Sequence, residues 1–282
     1  MKKDNRKGIG IVGYGNMGAA IAQNLALQKE EFTLYIFDKD KSKLLNHPGV
    51  NIARDLKDLL EKCQILLLAV KPQDLDHLLK EMKRHSVDKL FISIAAGIST
   101  GHIENILGQA RVIRVMPNIG AKIAESVSCL CKGVFATDED LDLAQELFYF
   151  LGTTRVIDES MMNAATAISG SGPAYIFHFL ENSALDPEEI PEHARHDMMR
   201  RLEKAGQELG FADEDAAFLA ANTVNSSISL LHKTKFPPEE LRKQVTSRGG
   251  TTEAALEILG KGGSWEDAAR AALKRAEELA KR

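Results

Sequence analysis

Residues 8–22 read GIGIVGYGNMGAAIA, and the reading of this stretch decides the fold of the first half of the chain. An apolar run suited to a buried strand leads directly into Gly13, Gly15 and Gly18, spaced G-x-G-x-x-G, and these open an apolar helix. The context gives the glycines their meaning. The first permits a tight turn, the second lets backbone approach a pyrophosphate, and the third lets helix and strand pack closely while the helix start faces the phosphates. Tyr14, Asn16 and Met17 lie among them and join them as candidate dinucleotide contacts. A glycine turn without a ligand is the plainer alternative.

Outward from that motif, short β-branched runs alternate with helical stretches as far as Val156. The strand candidates are 8–13, 32–38, 64–70, 89–95, 111–116, 126–131 and 153–157. Helical spacing of Leu, Ile and Ala covers 17–28, 55–62, 74–85, 99–107 and 138–151. Strands separated by helices predict a parallel sheet covered on both faces, a doubly wound α/β domain of Rossmann type over residues 1–157. In such sheets ligands lie at the carboxyl ends of the strands. The second strand ends at Asp38, twenty residues beyond Gly18, where an acidic side chain can bond an adenosine ribose. Lys39 and Lys41 follow and can instead neutralise a 2′-phosphate, so the choice between NAD(H) and NADP(H) stays open. Ala69, Val70, Lys71 and Pro72, then Ala95 with Ala96 and Gly97, then Asn118 after Met116 and Pro117, occupy three further strand ends, where simple turn chemistry is the plainer reading.

Beyond Asp158 strand-like runs vanish. Alanine-rich helical periodicity over 160–182, 194–209, 213–232 and 252–280 predicts an all-α second domain, 158–282. Its helices carry more apolar surface than so short a segment readily buries alone, which predicts a homo-oligomer built through this half. The acidic stretch ALDPEEIPEHARH, 184–196, interrupts the helices, and its His193 and His196 read as the start of an exposed helix rather than as metal ligands.

The 282 residues carry a net charge of -4 with Lys and Arg spread throughout, which argues against a nucleic-acid partner and for small molecules or a second copy. No apolar run approaches a membrane span, Ile65–Val70 being as long as any, and MKKDNRKG lacks the apolar segment of a leader, so the expected location is the cytoplasm. Cys63, Cys129 and Cys131, odd in number and set in apolar segments, read as reduced core thiols. No metal-ligand spacing and no Ser-His-Asp arrangement is present.

Two later stretches sharpen the picture, ISGSGPAY at 168–175 and QVTSRGGTTEAAL at 244–256. Together with GIVGYGNMGAAIA (10–22) and LLLAVKPQ (66–73), in this order and at these separations, they resemble the pyrroline-5-carboxylate reductases along essentially the whole chain. The resemblance implies a dinucleotide-binding domain, a helical C-terminal dimerisation domain that interlocks with a second subunit, and often a ring of five dimers. It implies hydride transfer from NADPH or NADH to the C=N carbon of 1-pyrroline-5-carboxylate, giving L-proline. Gly249, Gly250 and Thr251 then bring backbone N–H groups to a helix start, a cradle for one small carboxylate. Ser247 and Thr252 add hydroxyls. By the resemblance Thr252 faces the ring nitrogen as the catalytic contact, and Ser171 is a further substrate contact. A Thr N-cap behind a glycine-rich entry, and plain packing at Ser171, are the structural alternatives.

The chain departs from the family pattern in three places. Arg248 stands where Pro is usual, Ile119 and Gly120 replace a Thr-Pro pair, and the segment between Tyr175 and Gly210 is longer. Arg248 either points to solvent or adds a cation near the substrate. The competing enzyme class, reductases of the β-hydroxyacid dehydrogenase type acting on another small imine or keto acid, resemble one another in a catalytic lysine on the interdomain helix. No Lys occurs here between Arg155 and Lys204. A non-catalytic dinucleotide sensor gives no reason for a second, carboxylate-sized site.

Overall fold

The computed structural model describes residues 7–28, 31–44 and 49–280. The N-terminal hexapeptide, on which the expectation of no leader rests, lies outside them. The chain forms two compact units, one comprising the residues up to Val115 with Leu130–Leu151, the other Met116–Cys129 with the residues from Gly152 onward.

The first unit follows from the alternation of apolar strands and capped helices. Its elements are β1 (Lys7–Val12), α1 (Asn16–Leu25), β2 (Phe32–Phe37), the two-residue β3 (Asn51–Ile52), α2 (Leu56–Lys62), β4 (Ile65–Leu68), α3 (Pro72–Met82), β5 (Leu90–Ser93), α4 (Thr100–Leu107) and β6 (Arg111–Met116). β7 (Ser126–Lys132), which enters this unit at Leu130, and α5 (Asp138–Tyr149) follow. Strand order runs β3-β2-β1-β4-β5-β6 with β7 next. The pairs β1–β2, β1–β4, β2–β3, β4–β5 and β5–β6 are all parallel. The order reverses between β1 and β4, and it is at such a switch point, outside the strand ends, that doubly wound sheets bind ligands. Leu59, Leu75, Leu79, Ile103 and Leu107, from α2, α3 and α4, pack on Leu66, Leu68 and Phe91 of the sheet, all but fully buried. Side chains stop the helices from fraying. Asp55 accepts from Asp58 N–H, Ser99 from His102 N–H, and Thr137 forms a capping box with Asp140.

The second unit holds β8 (Gly152–Val156), α6 (Met162–Ala165), α7 (Gly172–Glu181), α8 (Glu192–Glu208), α9 (Asp213–Thr234), α10 (Pro238–Val245), α11 (Thr251–Gly260) and α12 (Trp265–Ala280). The predicted helix 160–182 is broken. Between α6 and α7 the backbone makes one π turn, Thr166–Gly170, in which Ser171 N–H reaches back five residues to Thr166 O (2.8 Å). That reach deprives Ala167 O of its usual helical donor, and the fully buried Tyr175 hydroxyl donates to it instead (2.9 Å). Tyr175 in turn stacks edge-on against Trp265, ring centroids 6.0 Å apart. The predicted helix 252–280 is also two helices, because the chain reverses at Gly262 and Gly263, where a Cβ on Gly263 would stand 2.5 Å from Ile258 Cγ2. Of the remaining differences, β3 is too short and exposed to leave an apolar pattern, and α10 buries only Leu241.

No helix among the described residues is long and apolar enough to cross a membrane. All three cysteines are free and buried, and burial pushes the Cys63 thiol up to about 12, far from a reactive thiolate.

The Tyr175 hydroxyl holds the π turn through one buried hydrogen bond. Tyr175→Phe leaves Ala167 O unsatisfied and is expected to lower stability by about 1–3 kcal/mol, read from urea unfolding followed by far-UV circular dichroism. A variant as stable as the parent would remove this role for the hydroxyl.

Candidate active site

In the first unit, steric constraint accounts for Gly13 and Gly18 of the loop after β1. Gly13 adopts φ +98°, a left-handed conformation that side chains disfavour, and a Cβ there would meet Ala69 O at 2.7 Å. A Cβ on Gly18 would stand 2.1 Å from Gly13 O, so α1 lies against β1 only because that atom is missing. Nothing lies within 4 Å of a Cβ placed on Gly15, whose surroundings are open. Gly15 is also the N-cap of α1, with no side-chain cap and no acidic residue in the first turn. The first amide groups of α1 therefore lack both an intrahelical acceptor and a side-chain one, the arrangement that accepts a phosphate. Tyr14 is buried, Asn16 exposed and Met17 half-buried. These features fit a dinucleotide.

Asp38 supports this loop from β2. Its Oδ2 accepts from Tyr14 N–H (2.6 Å) and its Oδ1 from Asp40 N–H (2.8 Å). Each oxygen keeps a second lone pair with which to bond a ribose hydroxyl. Lys39 pairs with Asp74 (3.0 Å), and the lysine beside Asp38 is Lys43, 3.8 Å away. At the switch point, Ala69 N–H continues the β1 ladder to Val12 O (2.8 Å), and Lys71 and Pro72 begin α3. β4 and β5 end in register, Leu68 opposite Ser93, so Ala69–Val70 and Ala95 leave the sheet at the same edge.

In the second unit two distant stretches of sequence meet. Ser171, ending the π turn, lies 3.0 Å from Thr251 Oγ1, and Thr252 Oγ1 donates to Ser171 Oγ (3.1 Å). All three hydroxyls are at least nine-tenths buried. Thr251 and Thr252 form the first turn of α11, whose N-cap, Gly250, supplies no side-chain bond. A Cβ on Gly250 would stand 2.2 Å from Ser247 Oγ, a hydroxyl that can rotate away, and 3.0 Å from Ser247 O. Gly249, at φ +70°, donates to Glu253 Oε2 (2.7 Å) and accepts from Arg275 Nε (2.8 Å). α10, which leads into this loop, is tied to α7 by a two-pronged pair of Arg242 with Glu181 (2.7 and 3.1 Å). Glu181 raises the Arg242 pKa. Arg248 is exposed, with no hydrogen bond or ion pair among the described residues.

Asn118 is 2% exposed. Its Oδ1 accepts from Gly120 and Val127 N–H (3.0 and 3.2 Å), while its Nδ2 is buried with no hydrogen-bond partner among the described residues. Gly170 of the π turn faces Met116, two residues before it. Glu253, Arg275 and the Tyr175 hydroxyl escape a sequence reading. Glu253 stands three residues after the N-cap Gly250, the place of a capping-box carboxylate, whereas Arg275 reaches Gly249 only through the α11–α12 hairpin. No group of three or more His, Cys, Asp or Glu side chains among the described residues is placed to hold a metal ion.

Residues 159–186 and 196–279 match the family model for pyrroline-5-carboxylate reductase dimerisation, so the helical half carries a dimerisation domain, with 187–195 falling between the matched segments. Residues 8–97 match the model for NADP oxidoreductase, coenzyme F420-dependent. The pyrroline-5-carboxylate reductase of Methanosarcina acetivorans is 34% identical over 99% of this chain and 100% of its own length. That of Aquifex aeolicus is 33% identical over 89% and 88%. Among solved structures, the reductase of Coxiella burnetii superposes with TM-score 0.65 at 28% identity, covering 99% of this chain and 100% of its own. The NADP-bound Plasmodium falciparum enzyme superposes with TM-score 0.63 at 25% identity over 98% and 99%. With identity above 30% sustained over whole chains, and with the glycine loop and the buried hydroxyl cluster both present, the chain belongs to the pyrroline-5-carboxylate reductase family.

Proposed function

We propose that the protein reduces 1-pyrroline-5-carboxylate to L-proline with NADPH or NADH. The observation that carries this reading is the meeting of Ser171 with Thr251 and Thr252 at the uncapped start of α11. A substrate with one carboxylate and one imine nitrogen asks for a small anion cradle beside a neutral hydrogen-bonding group, and the cluster offers both. The amides of Thr251, Thr252 and Glu253 lie at a helix start, where negative charge is stabilised, and the Ser247 hydroxyl adds a donor. Gly249 and Gly250 keep side chains away from the carboxylate.

Thr252 acts at the ring nitrogen. Because its hydroxyl hydrogen goes to Ser171, its lone pairs remain for the N–H of the protonated imine. That bond holds the nitrogen's positive charge in place and presents the imine carbon in one orientation. When bound, the reduced nicotinamide supplies the hydride to that carbon, and the former imine nitrogen keeps its proton as the amine of proline. A cyclic imine protonates in water, so hydroxyls and amides suffice. In the first unit Gly13, Tyr14, Gly15, Asn16, Met17 and Gly18 bind the pyrophosphate. Asp38 and Lys39 meet the adenosine ribose, and Ala69, Val70, Lys71, Pro72 and Ala95 line the strand ends. Asn118 donates Nδ2 to the cofactor.

We propose further that residues 1–157 act as the dinucleotide-binding domain and 158–282 as the dimerisation and substrate domain. We also propose that dimers gather into a ring of five in the cytoplasm and that nucleic acid is no partner of a chain with net charge -4.

Three measurements test this reading. Purified protein mixed with pyrroline-5-carboxylate oxidises NADPH or NADH, followed by absorbance, and no turnover with either would overturn the assignment. Thr252→Val lowers kcat/KM by about ten- to hundredfold, the range for a lost hydrogen bond to a charged group, and Ser171→Ala lowers it less. A Thr252→Val enzyme with parental kcat/KM would take Thr252 out of the chemistry. Gly15→Ala keeps the parental melting temperature but raises the cofactor KM by about tenfold, whereas Gly18→Ala lowers the melting temperature itself. Equal effects of the two on stability would contradict the separate roles.

A further inference from the structure

Gly249 is the one residue of the 247–252 loop at left-handed φ, and both of its backbone polar groups are held by side chains. Glu253 Oε2 takes its N–H at 2.7 Å, and Arg275 Nε reaches its carbonyl at 2.8 Å from far along α12. Arg275 is not a loose surface side chain. It is 24% exposed and is braced by Glu278 through Nη1 (3.0 Å). Two adjacent glycines at a helix entrance would otherwise sample many conformations, because glycine has more backbone freedom to lose than any other residue.

We infer that Arg275 and Glu253 are positioning residues for the substrate carboxylate. Together they hold the Gly249 backbone from both sides, so that the chain enters α11 along one path and the first amides of that helix point in one direction before substrate arrives. The inference rests on the carboxylate-cradle reading above. The charge of Glu253 is not the active feature, since its carboxylate close to a bound anion is electrostatically unfavourable. What matters is an acceptor for Gly249 N–H and a donor for Gly249 O, and a neutral acceptor or a different cation can serve.

Arg275→Met keeps the packing of the stem and removes the donor. It is expected to raise the KM for pyrroline-5-carboxylate by about tenfold while kcat and the cofactor KM stay near parental values, and Arg275→Lys recovers most of the loss. Glu253→Ala raises the same KM and Glu253→Gln restores it. Amide hydrogen exchange of peptides covering 246–252 accelerates in the Met and Ala variants and not in the Lys and Gln ones. An unchanged KM in Arg275→Met, or Lys and Gln variants as impaired as Met and Ala, would overturn the inference. If Arg275→Met does not fold, the Glu253 pair decides by the same readings. A parent protein without turnover overturns the functional reading instead, and hydrogen exchange still decides whether the clamp orders the loop.

Discussion

Helix starts carry amide groups that must be satisfied by something, and the proposed chemistry depends on two of the starts that no side chain caps, those of α1 and α11. α2, α4 and α5 are closed by Asp, Ser and Thr caps. α1 and α11 begin at glycines that offer no side chain at all. A helix start with neither cap nor ligand is weakened, so the cost of both openings is met by packing elsewhere: close contact of α1 on β1 in one unit, and the α11–α12 hairpin in the other. On the proposed reading the same device serves a pyrophosphate in the first unit and a single carboxylate in the second. What differs is the company each start keeps, open space at Gly15 and buried hydroxyls at Thr251 and Thr252.

On the proposed reading the hydroxyl cluster also explains why the substrate side needs no strong acid or base. Ser171, Thr251 and Thr252 are neutral over the whole working range of pH, so their hydrogen bonds have a fixed polarity that solvent protons do not reset. A carboxylate at the same place would bring a buried negative charge whose desolvation the neutral hydroxyls avoid.

Much of this was legible in the sequence because the rules involved are local. Gly13 and Gly18 sit at offsets that steric contact demands, Gly15 leaves the start of α1 open, and the alternation of apolar runs with helical spacing carried the parallel sheet. ISGSGPAY and QVTSRGGTTEAAL stood out as stretches, although nothing in their spacing said that they touch. That contact, 80 residues apart in sequence, is a product of helix packing. The failures are equally physical. β3 consists of two exposed residues, α10 buries one leucine, and the apolar periodicity of 252–280 runs unbroken across the Gly262–Gly263 reversal, because both halves present an Ala-rich face to the same core. The π turn left no mark, since a change of hydrogen-bond step needs no particular residue.

That π turn has a consequence of its own. A helix advances about 100° per residue, so a turn holding one residue more than the α-helix allows shifts the phase of everything after it by about that angle. Ser171 and the whole of α7 are thereby rotated relative to α6, and Tyr175 comes round to face the carbonyl that the shift left bare. The stretch behaves as a one-tooth gear change within a rod. Any lineage that lost one residue between Met162 and Gly172 would keep its helices and their apolar faces and still turn the serine away from the threonines, which makes the length of this segment as much a part of the site as the residues in it.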